Sequence, residues 1–237
     1  MSKPFKFKQF TVHQDRCAMK IGTDGVLLGA WVSLEHDPFS ILDIGAGTGV
    51  IALMLAQRSR AETIEGIEID ADAYEQCATN FEESPWADIL FCYHAGLDEL
   101  VDDIDEKYDL IVSNPPFYSE EMSSGNNARD IARQTISLPF GELLEGVSLL
   151  LSKKGVFSTI IPYKEEDSFV DLAKDFGLFP QRICRVKGTP TTEIKRSLLE
   201  FGFLNKEPTI NELIIEIERH QYTDVYKKLT KDFYLKM

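Results

Sequence analysis

The 237-residue sequence predicts an α/β fold built on a mainly parallel sheet with helices on both faces. Three observations carry that reading. Strand-like apolar runs alternate with helical patterns from residue 40 to residue 176. The first of these strands runs straight into a glycine-rich turn. After Gly177 the helices stop and strand-like runs follow one another, which predicts antiparallel edge strands on the C-terminal side.

Ser40–Ile44 is a short apolar strand, and Val50–Gln57 (VIALMLAQ) is the helix that leaves the turn. Thr63–Ile69 is the second strand, followed by a helix over Ala71–Glu82 that stops before Pro85. Ile89–Tyr93 is a third strand. Tyr108–Ser113 (YDLIVS) is a fourth, broken by Pro115 and Pro116. Residues 118–137 are polar and without period, which predicts a mobile loop. Leu138–Leu151 and Glu165–Phe176 are helices flanking the strand Val156–Ile161. Arg182–Lys187, Ser197–Phe203 and Glu212–Glu218 are the successive C-terminal strands, and Tyr222–Tyr234 is a closing amphipathic helix.

Bulk properties fit one soluble domain: 43% of residues are hydrophobic and 27% charged, with no apolar run long enough to span a membrane. The opening MSKPFKFKQF has no secretory apolar stretch, so a cytoplasmic location is expected. Cys17, Cys77, Cys92 and Cys184 are widely spaced, without a C-x-x-C pair or a histidine cluster. They read as reduced thiols, and no metal site is expected. The net charge of −14 argues against a nucleic-acid partner until it is divided along the chain. Residues 31–128 hold three Lys/Arg against twenty-one Asp/Glu, whereas both ends are mildly basic. Phosphates respond to local clusters of cations, so the ends remain compatible with RNA. An acidic surface that serves only solubility explains the middle equally well.

Residues 42–49 read LDIGAGTG. Gly45, Gly47 and Gly49 make a tight turn through which a ligand can approach the backbone closely. Val50 stands where a dinucleotide fingerprint needs its third glycine, so that reading fails. The second strand ends in Glu68 and Asp70. A carboxylate there is placed to accept two ribose hydroxyl hydrogens, with Glu68 first and Asp70 behind it; Asp70 as a helix N-cap is the alternative.

Asn114-Pro115-Pro116-Phe117 follows the fourth strand. An aromatic amino nitrogen is a poor nucleophile because its lone pair is delocalised. Acceptors on both amino hydrogens, the Asn114 side chain and the Pro115 carbonyl, would localise that pair, and the prolines fix the carbonyl's direction. Phe117 offers a face for stacking a flipped base, worth about 1–3 kcal/mol.

The glycine turn, with Asp43 in it, resembles the cofactor motif of class I methyltransferases, and N-P-P-F resembles their amino-methylating members. Residues 5–31, FKFKQFTVHQDRCAMKIGTDGVLLGAW, sharpen the match. Together with LDIGAGTG, IEGIEID, SNPPF and ARDIARQT they resemble the bacterial valine-tRNA adenine-N6 methyltransferases over most of the chain. The resemblance implies a Rossmann-like seven-stranded fold, S-adenosylmethionine as cofactor, and a valine tRNA methylated at the adenine 3′ of the anticodon. It implies one domain over 1–237, in which 1–37 cap the cofactor and substrate site and 38–237 form the core. It places Asp24, in KIGTDG, near the methionine end of the cofactor. The usual adenine-binding Asp after the third strand is replaced by Gly96, for which the candidate substitutes are Asp98 or, alternatively, backbone groups and stacking.

Lys6, Lys8, Arg129 and Arg133 are candidate RNA contacts, with a solvated charge pair as the alternative for the two arginines. A monomer is favoured. The rival enzyme readings are glutamine methylation of a release factor or guanine-N2 methylation of rRNA, since the same acceptors suit any planar NH₂ group. A non-catalytic RNA-binding module is a third reading, one that would not need Asn114.

Overall fold

The computed structural model describes residues 3–116 and 138–236. The chain opens with a small hairpin of β1 (Phe5–Lys6) and β2 (Thr11–Val12), followed by α1 (Thr23–Trp31). The parallel part then alternates β3 (Ser40–Ile44), α2 (Val50–Arg58), β4 (Thr63–Glu68), α3 (Ala71–Glu82), β5 (Leu90–His94), α4 (Leu97–Asp103) and β6 (Tyr108–Ser113). Beyond the undescribed segment come α5 (Phe140–Leu150), β7 (Leu151–Pro162), a 3₁₀ turn, α6 (Glu166–Asp175), β8 (Phe179–Lys187), β9 (Ile194–Gly202) and β10 (Thr209–Ile214). A second hairpin, β11 (Glu216–Glu218) with β12 (Gln221–Tyr222), leads to α7 (Asp224–Thr230).

The sheet order is β10-β8-β9-β7-β6-β3-β4-β5. The order reverses between β3 and β6, so the crevice at their C-terminal ends is the natural ligand position of an open α/β sheet. Alternation along the central strands feeds two cores. Ile41, Leu110 and Val112 join α1 and α2 on one face. Leu42, Ile44 and Ile111 join α5 and α6 on the other. Both faces are covered, which is why these strands read as nearly continuous apolar runs.

The sheet differs from expectation in two ways. It has eight strands rather than seven, and the strands at its edges are parallel to their neighbours. Only β9 runs against the rest, and it lies inside the sheet, paired antiparallel to β7 and to β8. The run expected over Glu212–Glu218 is really two strands. The chain passes across the end of β8, pairs β10 parallel to its far side, and turns off at Ile215, whose N–H donates to the Lys187 carbonyl. Two helices, α1 and α4, were not expected. Residues Gly25–Ala30 of α1 are buried on all sides, so the helix carries no polar face to reveal its period. No helix among the described residues is long and apolar enough to cross a membrane.

Candidate active site

Register places the predicted residues side by side. Ile44 pairs with Ile67 of β4 and with Ser113 of β6, so Gly45, Glu68 and Asn114 each lie one residue beyond the same level. With β3 between them, the Glu68 and Asn114 backbones stand two strand spacings apart, about 10 Å. The turn, the acid and the start of the tetrapeptide thus share one crevice. Phe117, Arg129 and Arg133 lie outside the described residues, as does the loop expected over 118–137.

The three glycines of the turn all have positive φ: 71°, 57° and 76° at Gly45, Gly47 and Gly49. Their reasons differ. A Cβ at Gly45 would meet no atom within 4 Å, and one at Gly47 only a backbone oxygen at 4.0 Å, so these two keep the crevice open. A Cβ at Gly49 would lie 2.5 Å from Phe81 Cε1 and 2.9 Å from Cys77 Sγ, so this glycine lets the turn pack on α3. The Gly45 and Ala46 amides both donate to the Ile67 carbonyl at 3.0 Å.

Glu68 is nearly buried, and both its oxygens are held by the backbone. The Gly47 N–H donates to Oε2 and the Asp70 N–H to Oε1, each at 2.9 Å. The carboxylate is thereby locked against the turn, with lone pairs left for two hydroxyl donors. Asp70 proves to be the N-cap of α3, its Oδ1 accepting the Ala73 N–H at 2.8 Å. Its alternative role is the one the structure gives it.

Asp43 is fully buried beneath the turn. Its Oδ2 accepts the Ala52 N–H at 3.2 Å, while Oδ1 has no partner among the described residues. Burial, reinforced by the nearby Glu68 charge, lifts its pKa to about 7 against the pull of the Ala52 bond. An orphaned buried oxygen, an open glycine cradle and an acid set to take hydroxyls together fit S-adenosylmethionine.

A Cβ at Gly96 would come within 2.5 Å of Asp98 Oδ1, so the Asp98 carboxylate occupies the space that a side chain at 96 would need. Glu99 closes the start of α4 by accepting the Gly96 N–H at 2.9 Å. Ile69, 58% exposed between Glu68 and the α3 cap, offers an apolar face beside them that sequence reasoning passed over. A lone exposed apolar residue after an acidic strand tip was the available signal. His94, paired in register with Glu68, has its ring nitrogen 3.0 Å from the Ile69 carbonyl and its ring stacked on Tyr74.

Asp24 does come to the site's edge, but its Oδ2 accepts the Arg196 Nε–H at 2.8 Å. The carboxylate thereby ties the start of α1 to β9. The next residue, Gly25, faces the tetrapeptide directly: a Cβ there would lie 3.4 Å from Val50 and 3.9 Å from Asn114 Nδ2. Pro115 is buried, and Asn114 and Pro116 are partly exposed.

Lys6 and Lys8 belong to the β1–β2 hairpin, away from the crevice. The Lys8 ammonium donates to the Lys231 carbonyl at the C-terminal end of α7, and the Lys8 N–H donates to the Phe233 carbonyl. Neighbouring Asp232 accepts from Gln57 near the C-terminal end of α2, where the strands begin. Phe10 similarly packs on Trp86, just ahead of β5. The hairpin bearing both lysines therefore sits at the end of the sheet opposite Asn114, and neither lysine faces the pocket mouth.

Comparison with known proteins agrees with this geometry. A family model described as "Methyltransferase small domain" matches residues 26–140. A Flavobacterium johnsoniae protein described as "tRNA1(Val) (adenine(37)-N6)-methyltransferase" is 61% identical over 98% of this chain and 100% of its own length. A Bacteroides fragilis protein of the same description is 47% identical over the whole of both chains. Among solved structures, an Agrobacterium tumefaciens protein described as a "predicted O-methyltransferase" superposes with a TM-score of 0.67 at 19% identity, covering 89% of this chain and 96% of that one. An M. jannaschii protein solved in complex with AdoMet gives 0.54 at 14% identity, covering 84% and 85%. At those identities the two structures speak for the fold alone.

Proposed function

This chain belongs to the tRNA1(Val) (adenine(37)-N6)-methyltransferase family, and from that premise we propose how its residues methylate the N6 amino group of the adenine 3′ of the anticodon in a valine tRNA. It is an S-adenosylmethionine-dependent methyltransferase. The observation that carries the mechanism is the shared level of Gly45, Glu68 and Asn114 across three adjacent strands, which sets the cofactor turn beside the tetrapeptide.

S-adenosylmethionine supplies an electrophilic methyl group on a sulfonium. Gly45 and Gly47 keep the floor clear for its methionine end, Glu68 accepts the ribose hydroxyls, and Asp98 with Ile69 receives the adenine. At the other side Asn114 and the Pro115 carbonyl each accept one hydrogen of the target amino group, which aims the nitrogen lone pair along the transfer line. Phe117, outside the described residues, is the proposed face on which the base stacks. No strong base is needed, because the nitrogen loses its proton only after the methyl group has arrived. Rate acceleration comes from positioning and from pre-set acceptors. The target must leave its stack to reach Asn114, which costs least in a single-stranded loop such as that of an anticodon. Arg129 and Arg133, downstream of the tetrapeptide, remain the proposed phosphate contacts.

The test is nucleoside mass spectrometry on valine tRNA incubated with the purified protein and S-adenosylmethionine. N6-methyladenosine is expected next to the anticodon, with duplex DNA unmodified. Methylated glutamine in a release factor, with the tRNA untouched, would overturn the substrate while leaving the methyltransferase standing.

A further inference from the structure

The N-terminal segment does not merely end near the site; it is strapped along α3 by two buried amides. Asn80, only 1% exposed, makes three bonds with its side chain. Its Oδ1 accepts the His13 N–H at 2.8 Å, and its Nδ2 donates to the carbonyls of His13 and Thr48, both at 2.9 Å. One turn earlier on the same helix face, buried Gln76 accepts the Arg16 N–H on Oε1 at 3.2 Å. On the surface, His13 lies 3.2 Å from Glu83, and Arg16 pairs with Glu75. Gln14 holds the following stretch by accepting the Ile21 N–H at 3.0 Å.

Thr48 stands between Gly47 and Gly49, so the Asn80 amide joins the segment and the cofactor turn through one side chain. We propose that Asn80 is a positioning residue for cofactor binding. By bridging His13 and Thr48, and with Gln76 holding Arg16, it holds residues 13–17 on α3 and ties them to the turn. The proposal rests on the reading of that turn as the S-adenosylmethionine site.

Two further observations agree. Cys17 is buried, and its thiol is pushed up to about 12 by burial together with the charges of Glu68, Asp70 and Asp15. The segment therefore lies within electrostatic reach of the carboxylate proposed to take the ribose. The neighbouring Gly49 packs on Phe81, the residue after Asn80, so the turn is gripped by two consecutive residues of α3. A backbone strap held by side-chain amides carries no apolar signature. That separates it from ordinary helix packing.

The experiment measures S-adenosylhomocysteine binding by calorimetry, without RNA, in wild type, Asn80→Ala, Asn80→Asp and Gln76→Ala. Thermal unfolding of each cofactor-free protein is recorded alongside. Asn80→Ala loses all three bonds and should raise Kd roughly tenfold or more. Asn80→Asp keeps the acceptor for His13 but turns a carboxylate oxygen toward the His13 and Thr48 carbonyls, and should weaken binding at least as much as Asn80→Ala. With tRNA added, KM for S-adenosylmethionine should rise while KM for tRNA stays put. Hydrogen exchange at the His13 and Arg16 amides should slow on cofactor binding in wild type and lose that response in Asn80→Ala. A merely structural amide would lower the melting temperature while leaving the folded fraction with wild-type affinity, and that result overturns the proposal. If Asn80→Ala does not fold, Gln76→Ala decides: unchanged affinity and unchanged Arg16 exchange on binding would refute it. Because no RNA enters the binding measurement, a wrong tRNA assignment leaves the outcome untouched.

Discussion

Replacing Glu68 by alanine is the sharpest test of the cofactor site, because the structure shows what the carboxylate does before any ligand arrives. Its two oxygens already accept the Gly47 and Asp70 N–H groups, and it is only 8% exposed. Two ribose hydroxyls would add two charge-assisted bonds to this nearly buried carboxylate. Each is worth about 1.5–3 kcal/mol, so losing both should cost about 3–6 kcal/mol of binding. Water entering the space left by the side chain recovers part of that. A Kd increase on the order of 10²–10³-fold is therefore expected. Glu68→Gln retains one acceptor but turns an NH₂ group toward a backbone donor or a hydroxyl, and should give a smaller loss, roughly tenfold. Freeing the Gly47 and Asp70 amides should also lower cofactor-free stability by about 1–3 kcal/mol. The assay is isothermal titration with S-adenosylhomocysteine, on variants whose folding is checked by near-ultraviolet circular dichroism. A folded Glu68→Ala protein with Kd within threefold of wild type would refute the ribose assignment.

Three other outcomes are expected. Asn114→Ala should lower kcat by about 10²-fold or more with cofactor affinity nearly unchanged, since it removes an acceptor used only on the target nitrogen; near-normal turnover would sink the mechanism. For Asp43, burial holds the folded pKa at about 7, above the ordinary carboxylate value of 3.8. Between about pH 4 and 7 the native state therefore keeps a proton that the unfolded chain releases, and cofactor-free stability should fall as pH rises through that window. The neutral isostere in Asp43→Asn lacks this titration, so it should gain on wild type between pH 5 and pH 8 in thermal melts; parallel curves would contradict the assignment. Gly49→Ala combines a φ of 76° with a 2.5 Å clash on Phe81, and should lose about 2–4 kcal/mol, or roughly 5–15 °C in Tm. Gly45→Ala meets open space and should retain more stability than Gly49→Ala, yet weaken cofactor binding in the same calorimetric assay.

Much of the parallel core was legible from period and punctuation. Ala71–Glu82 and Tyr108–Ser113 fall where their apolar patterns and flanking prolines put them. The glycine turn and N-P-P were visible because each compresses its chemistry into a few adjacent residues, and strand order then brought them together. Residue spacing says which way a side chain points within its own element. It does not say which distant element that side chain meets.

That second question settled what the sequence left open. Asp24 and Arg196, 172 positions apart, form an ion pair that no spacing in the chain announces. Lys8 looked like part of a basic RNA grip, yet the β1–β2 hairpin carries it to the carboxyl end of α7, across the sheet from Asn114. β10 pairs parallel to β8 because the β8–β9 hairpin leaves the outer side of β8 unpaired, where the returning chain can add a strand. The strap from Asn80 to His13 and Thr48 left no mark in the sequence at all, since two polar amides and a run of backbone show neither period nor motif. Local preference and pattern wrote the elements into the chain. Only packing, by burying Asn80 against two segments that must have their hydrogen bonds satisfied, decided that the N-terminal segment would be tied to the glycine turn.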